Sequence, residues 1–243
     1  MNEKAVSEVF SYMLIFGIVI ATISIVYTQV YTSTIETSQK FKVEGIRESF
    51  RKIYNVFVLS VYGGASVQQI QIELQGGRLF TENSTYVRVK VGDDTFEFYT
   101  RSLNYQLGDY RISFENGALW DGYYGYNRSV QTPAIYIKTV QVPQASGMEK
   151  VLVLVFNDLE NEVSVAGEGA LLIVFNSTLE TSKLYSGGKN VEFEVKSPYA
   201  DLWEEYLRNF GTVDRLNNTV KLETFSGSVI LTVYKTNITI RHI

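Results

Sequence analysis

Side chains able to do chemistry are sparse in this sequence, and their spacing assembles no reaction centre. The chain of 243 residues has one histidine, His242, and no cysteine. That argues against a His-dependent hydrolase or a His-ligated metal site, and it excludes a thiolate nucleophile, a disulfide and a lipid-modified cysteine. The run from Asn157 to Glu162 (NDLENE) gathers oxygens suited to Ca²⁺, and it suits a solvated acidic hairpin tip equally well. Gly167 and Gly169 read as a β-turn, because no strand-to-helix junction surrounds them as a nucleotide fingerprint requires. Glu204 and Glu205 fall on the outer face of a late helix and need no active site to explain them. The expectation is a protein that is not an enzyme, with no catalytic residue, no cofactor and no metal.

Two other patterns concern surface contact and modification. The stretch Trp120 to Tyr126 (WDGYYGY) is aromatic and glycine-rich, able either to stack on sugars or a partner surface or to fold over the domain's own core. Asn83, Asn127, Asn176, Asn217 and Asn237 each open an Asn-x-Ser/Thr sequon, and most are expected at or near turns or strand ends. Attached glycans would require that part of the chain to lie outside the cell.

The elements that carry these residues divide sharply in composition. No charged residue occurs between Glu8 and Glu36, and the centre of that stretch, Met13 to Val26, is almost wholly apolar. At 1.5 Å per residue about 20 such residues cross a hydrocarbon core of roughly 30 Å. Phe10, Tyr12 and Phe16 toward one end and Tyr27 and Tyr31 toward the other match interfacial aromatic belts. A secretory signal would have a shorter core and a small-residue cleavage site after it, which Tyr27 to Tyr31 is not. The helix continues as an amphipathic stalk over 36–62, with Val43, Ile46, Phe50, Ile53 and Phe57 spaced three and four apart. That stripe packs either on the protein's own β domain or on a neighbouring subunit.

From Ser66 the period changes to two, as in Val67 to Leu74, and many short strands follow with turn signals between them. With 17 Tyr, 14 Phe, 18 Gly and only 3 Pro, the region 63–243 reads as an all-β exterior domain, sandwich-like, with one short helix after Ser197 and Pro198. The predicted fold class is thus mainly β with one long N-terminal transmembrane and stalk helix. A net charge of −4 indicates no nucleic acid partner. The basic flanks conflict with an exterior domain: Lys4 precedes the apolar stretch, while Lys40, Lys42, Arg47, Arg51 and Lys52 follow it. Long domains translocate largely regardless of such a bias.

The segment from Lys4 to Val9 (KAVSEV), followed at once by the apolar helix, resembles the class III signal of archaeal type IV pilin-like proteins. The resemblance covers about the first 35 residues, the span of the helix. It implies a leader of residues 1–5 and a transmembrane helix over 6–35. It also implies cleavage by a membrane prepilin peptidase, with Lys4 the basic residue before the cut, Ala5 the last leader residue and Val6 the new N-terminus. Many archaeal relatives have Ser-Pro where this chain has Ser7 and Glu8. Gly17, Ala21, Ser24 and Thr28 form a face of small residues where helices can approach closely, and Glu8 is placed to pair with the amine of an adjacent subunit. The implied protein is a single-pass cell-membrane protein with its C-terminal domain outside, a minor or accessory component of a cell-envelope filament. Its partners would be the membrane, the peptidase and homo- or hetero-oligomeric pilin subunits. The alternative is a single-span anchored extracellular binding module that does not assemble.

Overall fold

The computed structural model describes residues 3–62, 64, 66–141 and 148–242, with side chains described outside 3–10, 61–62, 136–141, 148–150, 187 and 242. The chain forms two compact units, Met1–Gly45 and Ile46–Ile243. One helix, Glu3–Tyr62 (α1), runs through both. No proline interrupts it, and Gly64, with φ +68°, marks where the chain has left helical geometry.

In the first unit every residue from 11 to 41 is exposed. α1 is long and apolar enough over this region to cross a membrane.

The second unit holds the last turns of α1 and all the strands. Ile46, Phe50 and Ile53 are wholly buried there, and Phe57 meets Phe114 edge-on at 5.3 Å between ring centres. From Ile46 to Phe57 the amphipathic stripe therefore packs within the β domain itself, while Val43 belongs to the first unit.

The strands are Val67–Glu73 (β1), Arg78–Val91 (β2), Asp94–Leu107 (β3), Tyr110–Glu115 (β4), Ala118–Tyr123 (β5), Tyr126–Gln131 (β6), Ile135–Gln141 (β7), Met148–Leu159 (β8), Ser164–Ala166 (β9), Ala170–Lys196 (β10), Val213–Leu216 (β11) and Thr219–His242 (β12). They join one sheet whose main path is β6-β5-β4-β3-β2-β10-β12-β8-β7, antiparallel except for the β12–β8 pair. β1 adds to β10, β9 to β2 and β11 to β12.

β10 and β12 are 27 and 24 residues long and pair with each other along almost their whole length. Sequence alternation alone suggests shorter separate strands here. The breaks are absorbed as register shifts, at Leu179/Thr181, Tyr185/Lys189 and Val191/Phe193, so the ladder continues past them. The two parts of the sheet that these strands join share one core. Val87 and Val89 of β2, Leu152 and Leu154 of β8, and Phe193 of β10 belong to it, and Phe98 of β3 stacks on Phe156 of β8 at 4.5 Å. This face-to-face burial gives the sandwich-like architecture.

The late helix expected after Ser197 and Pro198 is Ala200–Leu207 (α2). Ser197 Oγ accepts the Tyr199 N–H at 3.0 Å, and Leu202, Trp203 and Leu207 enter the core.

Candidate functional site

The small-residue face lies where α1 is fully exposed. Gly17, Ala21, Ser24 and Thr28 follow one stripe, and a Cβ built at Gly17 would meet nothing. Thr22, Ser24, Thr28, Thr32 and Thr34 each donate their hydroxyl to the carbonyl four residues back, at 2.8–2.9 Å. These hydroxyls present no unmet donor to their surroundings, a condition for residence in lipid or at a helix–helix contact. Tyr27 and Tyr31 stack along the helix at 6.1 Å. The side chains of Lys4, Ala5, Val6 and Glu8 lie outside the described residues, as do Met1 and Asn2 of the expected leader.

The aromatic stretch, whose glycines and tyrosines read locally as a loop, forms the hairpin β5–β6. Tyr124 and Gly125, with φ +52° and +83°, form a two-residue turn whose twist suits tightly paired strands. The hairpin splits the two readings of its aromatics. Trp120 is buried and packs against Trp203 at 6.1 Å, whereas Tyr123, Tyr124 and Tyr126 at the tip are 46%, 68% and 84% exposed.

Behind that tip lies a buried charge. Asp121 receives Arg47 Nε of α1 at 2.7 Å and Arg128 Nε of β6 at 2.5 Å, with Tyr110 Oη at 3.4 Å. Burial alone would raise its pKa, but the two guanidiniums outweigh burial and hold the carboxyl below its ordinary range. The cluster ties the last part of α1 to the edge of the sheet.

A second carboxylate, Glu115, is wholly buried and accepts from Thr85 Oγ1, Trp120 Nε1 at 2.9 Å and Trp203 Nε1 at 3.3 Å. Burial pushes its pKa up, against the pull of these donors. Next to it Ser84, Ser102, Asn104, Ser113 and Tyr199 are linked by hydrogen bonds of 2.5–2.9 Å, and Arg111 and Glu82 continue the chain to the surface. The Ser, Asn and Tyr groups bond to one another, while Arg111 Nε is buried without a partner, so the network links β2, β3, β4 and α2 through their side chains.

The acidic run is not a hairpin tip. Asn157 and Asp158 lie inside β8, and Asn157 Oδ1 accepts from Thr236 Oγ1 at 2.6 Å. The Asn161 amide caps the backbone of Ile238 in both directions. Asn157, Glu160 and Asn161 thus bond to β12, Glu162 pairs with Arg101 of β3, and among the described residues no cluster of acidic or histidine side chains has metal-binding geometry.

All five sequon asparagines are exposed, but only Asn217 lies in a turn between strands. Asn127 is the second residue of β6, while Asn83, Asn176 and Asn237 fall inside long strands. The last two are directly opposed across β10 and β12.

A model of a family of unknown function, DUF7289, matches residues 4–241. The chain belongs to that family. The match takes in α1 and the β domain together, so the exposed helix and the sheet are parts of one family unit. An uncharacterized protein of the archaeon Archaeoglobus fulgidus is 27% identical, with 72% of this chain and 71% of that protein covered. No solved structure matches.

Nothing local in the sequence marks Glu115 or Asp121 as a buried carboxylate. Glu115 precedes Asn116 and Gly117 and reads locally as a turn residue. The signals that point to it, Trp120, Thr85 and Trp203, are up to 88 residues away.

Proposed function

We propose that this family member is a membrane-anchored, pilin-like surface protein, with its β domain outside the cell, acting as a minor or accessory component of a cell-envelope filament. The observation that supports it is the exposed half of α1. It is uncharged across a membrane's thickness, its Thr22, Ser24, Thr28, Thr32 and Thr34 hydroxyls are satisfied within the helix, and it offers a small-residue face to a second helix. The mechanism is non-enzymatic. Prepilin peptidase would remove residues 1–5, apolar helices would pack against one another, and the Glu8 carboxylate would pair with the amine of Val6 on an adjacent subunit.

The test is mass spectrometry of the mature N-terminus. A start at Val6 supports the proposal, and retention of residues 1–5 counts against it. In the same cells Glu8→Gln should leave membrane insertion intact and reduce recovery in sheared filament fractions. Equal recovery of variant and wild type would remove the assembly role.

A second reading is an anchored binding module that never assembles. The three exposed tyrosines at the β5–β6 tip favour it, since clustered aromatic faces present contact area at low entropic cost. An unprocessed N-terminus, together with loss of cell-surface binding in Tyr124→Ser/Tyr126→Ser, would select it.

A further inference from the structure

The fold makes the five sequons unequal, although the sequence pattern treats them alike. N-glycosylation needs an asparagine amide free to react, and a Ser or Thr hydroxyl two residues on that can enter the transferase with it.

Asn83 fails on the second requirement. Its partner hydroxyl, Thr85 Oγ1, belongs to a residue only 4% exposed and is donated to the buried Glu115 carboxylate. Freeing it would strip a donor from a carboxylate held in the core, which is costly to leave under-satisfied. Asn237 fails on the first, because its Nδ2 is donated to Glu160 Oε2 at 2.7 Å. Asn176 faces Asn237 directly and sits in β10 between β1 and β12, so its backbone is paired on both sides. An enzyme could reach that sequon only by opening the ladder.

Asn217 meets both requirements. It lies in the two-residue connection between Leu216 and Thr219, which pair with each other. It is exposed, with φ +54°, and β11 is a four-residue strand paired only with β12. Thr219 opens β12 beside it. Leu216, 76% exposed, is the neighbouring apolar surface that a first sugar would cover. Asn127 comes second: it is exposed on the edge strand β6, although its Oδ1 lies across Gly122.

We propose that Asn217 is the principal N-glycan attachment site of the β domain, and that Asn83 carries no glycan in spite of its sequon. The donor is an oligosaccharide linked through phosphate to a polyprenyl lipid. Asn217 Nδ2 attacks C1 of the reducing-end sugar, the N–C1 bond forms, the C1–O bond breaks with its electron pair leaving on the lipid phosphate, and one amide proton passes to a base on the transferase. No oxidant or reductant is required. This rests on the exterior placement of the β domain.

The experiment expresses the full chain in an archaeal host that performs N-glycosylation and measures glycan occupancy of each sequon peptide by mass spectrometry. Protease accessibility of the β domain is measured on intact cells in parallel. The expected result is highest occupancy at Asn217 and none at Asn83. Asn217→Gln and, separately, Thr219→Ala should each remove one glycan mass from the intact protein, while Asn83→Gln should remove none. Occupancy at Asn83 equal to that at Asn217, or an unmodified Asn217, overturns the proposal. An unmodified Asn217 on a protease-accessible domain overturns the glycan site alone; on a protected domain it overturns the exterior reading as well.

Discussion

The two halves of α1 obey opposite rules although they belong to one uninterrupted helix. From 11 to 41 the side chains are exposed all round, and no charge occurs between Glu8 and Glu36. From Ile46 onward one stripe is buried in the β domain while Glu48, Arg51 and Lys52 stay in water. Hydrophobicity therefore does not predict burial along this helix. What differs is the partner. A stripe three and four residues apart matches the single face that a sheet can cover, whereas apolar residues on every side have no such match and suit a solvent that is itself apolar.

That contrast can be broken by substitution. The largest effect is expected from Phe50→Ala. Removing a wholly buried aromatic side chain should cost the β domain about 3–5 kcal/mol, read as a fall in its thermal or denaturant midpoint, with membrane association unchanged. A wild-type midpoint would mean that the buried half is not part of the cooperative core. Ile20→Arg should do the reverse. A charge at the centre of the apolar half costs roughly 2.5–3.5 kcal/mol of insertion, so the carbonate-resistant membrane fraction should drop while the unfolding midpoint of the β domain holds.

A smaller effect is expected from Asp121→Asn, which loosens the link between Arg47 and the sheet edge. Loss of charge-assisted hydrogen bonds should cost about 1.5 kcal/mol near neutral pH. The pH dependence carries a definite sign. The folded pKa of Asp121 is lowered, so its contribution is complete above the unfolded carboxylate range near 3.9 and is lost as pH falls through the folded value. The gap in stability between wild type and variant should therefore shrink as pH drops below about 4; a constant gap in an acid series would show that ionisation is not what stabilises the cluster. Thr28→Val should have the smallest effect, within about 0.5 kcal/mol for the β domain, because the hydroxyl bonds only within its own helix. Any deficit it causes should appear in helix–helix crosslinking and not in folding.

Much of this architecture was legible because its signals are local. The uncharged stretch, the stripe from Ile46 to Phe57 and the alternation from Val67 to Leu74 are all patterns within a short length of chain. The features that were not legible depend on pairing over distance. The segments from Ala170 to Lys196 look like separate strands until β12 is laid beside them and the bulges are carried by the partner. Trp120 to Tyr126 looks like a loop because glycines and tyrosines punctuate it. Only the Tyr124–Gly125 turn and the register with Arg128 and Asn127 make it a hairpin.

By itself, the sequence determined that an apolar helix precedes a β-rich domain, that the helix becomes amphipathic before it ends, and that the chain carries one histidine and no thiol. These follow from composition and from periods of 3.6 and 2, which are short-range properties. Only the tertiary structure decided that the stripe is spent on the protein's own sheet, that Asp121 and Glu115 are buried and satisfied, and which sequons stand free. Those outcomes depend on which residues of distant strands share a register, and a register exists only once the strands have paired.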